Sequence, residues 1–158
     1  LESTSSAAGY MYPSQWLTEN FKHSIRDLKN TVTMDSYDSA MAQLASGQID
    51  VMPEYADARM DDAAKWTTTF GAKESIWDDT NVIGVTPAIA NDGIMVSEKS
   101  KIMTADFKKA LSAAIKDVAK TDEGKKVIAI YSHDGYVDST KADYKTAIKV
   151  ANSMSKAN

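Results

Sequence analysis

Hydrophobic residues recur at helical spacing in several parts of the chain, and most of these parts follow a residue that favours a helix N-terminus. The spacing predicts a first helix from about Ser6 to Phe21. A second helix is predicted between the cap candidate Ser36 and the stop signal Gly47. The C-terminal part reads as mainly helical: Thr104 is a cap candidate for a helix at 105–120, Thr121 for one at 122–131, and a last helix opens between 138 and 144.

Short runs rich in β-branched and apolar residues separate these helices. They predict strands at residues 31–34, 48–52, 81–86 and 94–96. Because strands and helices alternate, the pattern predicts the α/β fold class, with a mixed sheet flanked by helices and a helical C-terminal part. The one domain boundary that the composition suggests lies near residues 87–93.

Length and charge narrow the classes of function. At 158 residues and 43% hydrophobic content, the chain suits one domain, or one lobe plus part of another. Its 22 acidic and 18 basic residues give a net charge of −4 without a basic stripe, so we expect no nucleic-acid partner. The absence of cysteine excludes disulfides and thiolate metal ligands and leaves the compartment open.

Motifs of the common enzyme classes are missing from the sequence. It contains no His-Glu-x-x-His pair, no Gly-x-Ser-x-Gly elbow, no phosphate-binding P-loop and no dinucleotide glycine pattern. The missing motifs agree with a binding protein that is not an enzyme and that needs no cofactor or metal. The alternatives are a small α/β enzyme that acts on phosphate esters through Asp50 or Asp92, and a sensory or cell-surface ligand-binding domain.

Four consecutive hydroxyl residues, Ser3, Thr4, Ser5 and Ser6, precede the small residues of positions 7–9. Hydroxyl donors in front of the first turn of a helix, whose N–H groups are unpaired, favour binding of an anion. The competing interpretation is a solvated chain end without a function. The sequence alone leaves both open.

Three acidic residues are further candidates. Glu54 and Asp57 follow a predicted strand where the chain turns toward a helix, which is where open α/β sheets bind ligands. Asp92 lies in a turn-prone segment at the predicted boundary. Helix capping and an Asx turn explain the same acids without a ligand. Tyr10 suits either the wall of a pocket or the core.

Three sequence motifs, at residues 3–13, 47–51 and 89–96, resemble in order and spacing those of the phosphonate-type periplasmic substrate-binding proteins of ABC transporters. The resemblance extends from Ser3 to about Tyr144. It implies a two-lobed type 2 binding-protein fold that holds a phosphonate- or phosphate-like oxyanion between its lobes and delivers it to an ABC permease. It also implies an extracytoplasmic location, in the periplasm or tethered to the outer face of the cell membrane.

The resemblance further divides the chain. Residues 1–88 correspond to the second, ligand-binding lobe, and residues 89–158 to the return segment with the C-terminal helices. The first lobe of the family is absent from this chain, so Leu1 is not expected to be the natural start, and Leu1 with Glu2 could be a cloning remnant. A lobe without its partner leaves apolar surface uncovered, which favours a homodimer.

The resemblance also assigns roles to single residues. The oxyanion is expected at Ser3, Thr4, Ser5 and Ser6, beside Gly9 and Tyr10. Tyr37 stands where family members often carry a phosphonate-binding histidine, and a phenol donates one hydrogen bond but brings no positive charge. Asp57 or Glu54, together with Asp92, would bind the amine of an aminophosphonate.

Overall fold

The computed structural model describes residues 1–156, and the last two positions of the predicted return segment lie outside the described residues. A π-helical turn at Ala7–Met11 leads directly into helix α1, Tyr12–Phe21. The remaining α-helices are α2 (Tyr37–Ala45), α3 (Ala58–Asp61), α4 (Ala63–Thr68), α5 (Ile76–Asp79), α6 (Ala105–Val118), α7 (Asp122–Ile128) and α8 (Lys145–Lys156). Short 3₁₀ turns lie at Ile25–Asp27 and Ala129–Tyr131.

The helix caps follow the sequence prediction. Ser36 Oγ accepts the N–H of Ser39 at the start of α2, at 3.2 Å. At the start of α6, Thr104 Oγ1 accepts the N–H of Phe107 at 3.2 Å. Thr121 caps α7 in the same way. Each hydroxyl satisfies an N–H that the first turn leaves without a helical partner, so these predicted starts are confirmed.

The prediction of a mixed α/β sheet is wrong. Residues 1–156 contain no strand, and the four segments expected to be strands are irregular. A β-rich pattern reports a local preference, but a strand exists only where a second segment completes its hydrogen-bonded ladder. No such ladder forms here, and Val82 and Ile83 remain 62% and 75% exposed. The chain is therefore helical and irregular where a mixed α/β sheet was expected.

The described chain divides into two compact units. The first comprises residues 1–90 and the segment from Tyr144 onward, and its core lies where α2, α3, α4 and α5 converge. The four residues at the centre of that core are Met41, Ala58, Trp66 and Ile76. The indole Nε1–H of Trp66 donates to Asp79 Oδ2 at 3.0 Å, which satisfies the one polar atom of this buried ring.

The second unit, residues 91–143, holds α6 and α7. Its buried apolar residues are Ala119 and Ile128, and Lys116 forms an ion pair with Asp138. Within residues 1–156, no helix has both the length and the apolar character that crossing a bilayer requires. The predicted division into a lobe at 1–88 and a return segment from 89 stays a prediction.

Candidate functional site

Ser6 is the residue around which the candidate site is built. Its side chain caps the π-helical turn by accepting the N–H of Gly9 at 3.1 Å. The N–H groups of Ala7 and Ala8 donate to no acceptor among the described residues. Because the next turns form a continuous helix, these free N–H groups lie at its positive end, where an anion is favoured. A π-helical turn in this position is also typical of functional sites.

Tyr37 brings a second hydroxyl to the same place. It is the first residue of α2, and its phenol oxygen lies 3.2 Å from Ser6 Oγ. Two hydroxyls that share one hydrogen bond keep one O–H hydrogen for a ligand. Burial is the main reason why the pKa of the Tyr37 phenol is raised, with further contributions from the charges of Glu54 and Glu2. The phenol is therefore a neutral hydrogen-bond donor at physiological pH.

Two carboxylates complete this group. Glu54 and Glu2 each have a buried Oε1 without a hydrogen-bond partner in the described structure. Burial raises the pKa of Glu54 to about 8, against the opposing effect of the Tyr55 N–H, which donates to Glu54 Oε2 at 3.3 Å. The charges of Asp62 and Glu2 contribute to this raised value. A buried carboxyl with a free oxygen is costly unless it is protonated or meets a cation.

Gly9 allows these groups to approach. A Cβ at this position would overlap the side chain of Glu2 and would lie 2.9 Å from Ser6 Oγ. The N–H of Glu2 in turn donates to the Gly9 carbonyl at 3.3 Å. A second contact holds this end of the chain, since the N–H of Met34 donates to the carbonyl of Leu1 at 2.8 Å. We call the group formed by Glu2, Ser6, Gly9, Tyr37 and Glu54 the Ser6 site.

The remaining hydroxyls of the run are exposed. Ser3 Oγ and Ser5 Oγ lie 3.1 Å apart, and the N–H of Ser6 donates to the carbonyl of Ser3 at 2.9 Å, so residues 3–6 form a tight turn. Thr4 is also exposed. The turn leaves Ser6 as the hydroxyl of the run that contacts Tyr37.

Of the other predicted site residues, Tyr10 contacts this group through its backbone, because its N–H donates to the carbonyl of Ser6 at 3.2 Å. Tyr10 is half-buried, and its carbonyl accepts the hydroxyl of Ser14 at 2.6 Å. Asp57 is exposed at the start of α3, where its side chain makes no capping hydrogen bond. Asp92 belongs to the second unit, where it lines an open cavity. The structure therefore brings Ser6, Gly9, Tyr37 and Glu54 together, and the ligand-binding roles predicted for all the candidates stay predictions.

Sequence reasoning missed Glu2 and Tyr55. Glu2 was set aside as a remnant because it stands at the start of the chain, although its carboxylate reaches the Ser6 site. The ring of Tyr55 packs edge-on against Tyr37, with centroids 5.5 Å apart, and its hydroxyl donates to Asp61 Oδ2 at 3.0 Å. Proximity of Glu54 and Tyr55 in sequence was the only signal that pointed to this ring.

A comparison with protein families matches residues 1–144 to the family described as ABC transporter, phosphonate, periplasmic substrate-binding protein. Because the match covers most of the chain, the chain belongs to this family of periplasmic substrate-binding proteins. It is a solute-binding component of an ABC transporter, with a small-molecule ligand, a permease as partner and an extracytoplasmic location. Both the predicted family and the predicted class of function are confirmed. No curated protein and no solved structure gives a match.

Proposed function

We propose that the Ser6 site binds a zwitterionic phosphonate, with hydrogen-bond donors at one end of the ligand and carboxylates at the other. The observation that carries the proposal is that groups without a partner occur on both sides of Ser6: the N–H groups of Ala7 and Ala8 are free, and Glu2, which lies against Gly9, and Glu54, whose charge acts on Tyr37, each keep a free carboxyl oxygen. The donors and the Ser6–Tyr37 hydroxyl pair suit the oxyanion. The carboxylates suit an amine.

Electrostatics favour a zwitterion over a simple dianion. A phosphonate dianion placed beside two ionised carboxylates is repelled, and the repulsion is strong in a partly buried site. An ammonium group on the ligand removes the repulsion and satisfies the free Glu54 Oε1. The competing arrangement keeps Glu54 protonated, consistent with its pKa of about 8, and lets it donate a hydrogen bond to the oxyanion.

Calorimetric titration of the full chain with 2-aminoethylphosphonate tests the role of Ser6. We expect Ser6→Ala to weaken binding about 10- to 100-fold, because it removes a hydroxyl that contacts both Tyr37 and the Gly9 N–H. Ser3→Ala is the matched control, since Ser3 is an exposed hydroxyl of the same run. If both variants bind with the same affinity as the unsubstituted chain, the hydroxyls of Ser6 and Ser3 do not bind the ligand.

Glu54→Gln separates the two arrangements. If ionised Glu54 pairs with the ligand's amine, the variant loses affinity for 2-aminoethylphosphonate about tenfold or more but keeps its affinity for methylphosphonate. If protonated Glu54 donates to the oxyanion, glutamine keeps a donor and both affinities are largely retained. Unchanged affinity for both ligands in Glu54→Gln together with Glu2→Gln would refute a carboxylate-bound amine.

We also infer binding without turnover, because a site of donors and carboxylates without a positioned nucleophile fits retention of a ligand rather than its cleavage. Incubation with generic phosphate esters tests this, and turnover that is lost in Asp92→Asn would support the alternative of an enzyme.

A tether to the outer face of the membrane, the lack of a nucleic-acid partner and self-association stay predictions. The exposed apolar side chains of Val82 and Ile83 support self-association, which light scattering would check.

A further inference from the structure

We propose that the Ser6 site selects a ligand whose oxyanion carries a single negative charge. The ligand class that meets this condition comprises aminoalkylsulfonates and aminoalkylphosphonates in their singly charged form. This selection rests on the proposed function, because it concerns the charge state of the zwitterion that the same site would bind. Two features support it, the neutral donors around Ser6 and the negative charges beside them.

The donors that the described residues supply to the Ser6 site are all electrically neutral. Ser6 Oγ and the phenol of Tyr37 share a hydrogen bond of 3.2 Å, and the N–H groups of Ala7 and Ala8 are free. Attraction to neutral donors grows in proportion to the charge of the ligand, whereas the cost of taking an ion out of water grows with the square of its charge. Such donors therefore hold one charge better than two.

The charges that act on these donors are negative. The charges of Glu54 and Glu2 raise the pKa of Tyr37, after the larger effect of burial. Asp62, Glu2 and Asp38 act on Glu54 in the same direction. An oxyanion bound beside Tyr37 meets this negative potential, and the repulsion doubles when the oxyanion gains a second charge. The single ammonium group of the ligand balances only one charge.

Two cations of the first unit that might otherwise balance these acids have other partners. Lys65 reaches α2, and its Nζ lies 3.2 Å from Asp38 Oδ1 and 3.0 Å from Asp62 Oδ1. The Asp62 side chain is buried, which fixes this arrangement. The α-amino group of Leu1 donates to the carbonyl of Val32 at 2.8 Å. Neither cation is placed to neutralise a second charge on the ligand.

Calorimetric titration of the full chain with two ligands of similar shape tests the charge state. 2-Aminoethanesulfonate keeps one negative charge, whereas 2-aminoethylphosphonate gains its second charge between about pH 5 and about pH 8. Both carry the same ammonium group, so titration of Glu54 acts on both affinities and cancels in their ratio. We expect the affinity for the phosphonate, divided by that for the sulfonate, to fall about tenfold or more over this range.

Two substitutions of Tyr37 are matched controls for each other. Tyr37→Phe removes a donor without adding a charge, so both affinities should fall about threefold to tenfold while their ratio stays the same. Tyr37→His adds a group that becomes positive near neutral pH, so the ratio at about pH 7 should rise about threefold to tenfold. Equal ratios in the two variants would overturn the selection of a single charge.

The same titrations separate this inference from the proposed function. If the ratio stays constant or rises with pH while Ser6→Ala still weakens binding of both ligands, the selection of a single charge is wrong but the Ser6 site stands. If neither ligand binds, or if Ser6→Ala leaves both affinities unchanged, the selection and the proposed function are both wrong.

Discussion

The two units use the same local signals but bury very different amounts of apolar side chain. In the first unit Trp66 is 2% exposed and lies in a core to which several short helices contribute. In the second unit α6 is long, capped by Thr104 and amphipathic, yet none of its residues, all of which are described, is buried. A cap and a periodic pattern are therefore sufficient for a helix, whereas a core requires several segments to converge.

Trp66→Ala should give the largest contrast between the units. Truncating a fully buried indole removes its packing and leaves Asp79 without its donor, so we expect a loss of about 3–5 kcal/mol in the free energy of unfolding. Phe107→Ala in α6 should cost about 1 kcal/mol or less, because that ring is 44% exposed. Urea unfolding followed by circular dichroism measures both.

Trp66→Phe is the control for that experiment, since it keeps an aromatic ring in the core but loses the hydrogen bond to Asp79. We expect a cost between the two alanine variants. Similar losses for Trp66→Ala and Phe107→Ala would mean that the two units do not differ in the way the buried areas indicate.

The pH dependence of stability should also differ between the units. In the first unit the pKa of Glu54 is raised from 4.5 to about 8, so the folded state binds the proton more tightly than the unfolded state. Stability from this group is fully present below about pH 4.5 and is lost as pH rises toward 8; the shift corresponds to about 5 kcal/mol, and because the carboxyl is only partly buried we expect about 2–3 kcal/mol of it. Glu54→Gln should abolish this dependence.

The matched control is Glu74→Gln, which alters an exposed glutamate of the same unit. Fluorescence reports this unit selectively, because all three tryptophans lie within residues 1–90. In the second unit Lys116 lowers the pKa of Asp138 and Lys120 lowers that of Asp117, so the pH dependence has the opposite sign, with stability lost on acidification. A fluorescence-detected midpoint that rises with pH between 5 and 8 would contradict the role given to Glu54.

The same difference between local and long-range contacts determines which parts of the structure could be predicted from the sequence. Helix starts at Ser36, Thr104 and Thr121 were predictable because a cap acts within three residues of the chain. The sequence wrongly predicted strands at residues 31–34 and 81–86. A strand forms only if it pairs with a distant segment, and a local pattern does not report whether that segment is there. The β-branched residues there indicate a local preference for an extended backbone, which does not by itself produce hydrogen-bonded pairing with another strand.

The candidate site was predictable to the extent that motifs mark it. Ser6, Tyr37 and Glu54 followed from the resemblance, which orders them along the chain and implies that they meet. Glu2 belongs to no motif, and only its contact with Gly9 shows that it reaches the group. Asp57 and Asp92 had the same sequence support as Glu54, but the fold leaves the first exposed on α3 and puts the second in another unit.

Removing a single cap should have the smallest effect, and one that depends on the unit. Thr104→Ala deletes the hydroxyl that accepts the Phe107 N–H, for an expected cost of about 1 kcal/mol. Because α6 has no buried residue to hold its first turn, we expect the turn to open and the Phe107 amide to exchange several-fold faster. Ser36→Ala removes an equivalent cap from α2, but Met41 ties that helix to the core. Amide exchange at Ser39 should therefore change less, and Thr104→Ser should restore protection at Phe107. Equal acceleration at both helices would show that the core of the first unit does not stabilise the start of α2.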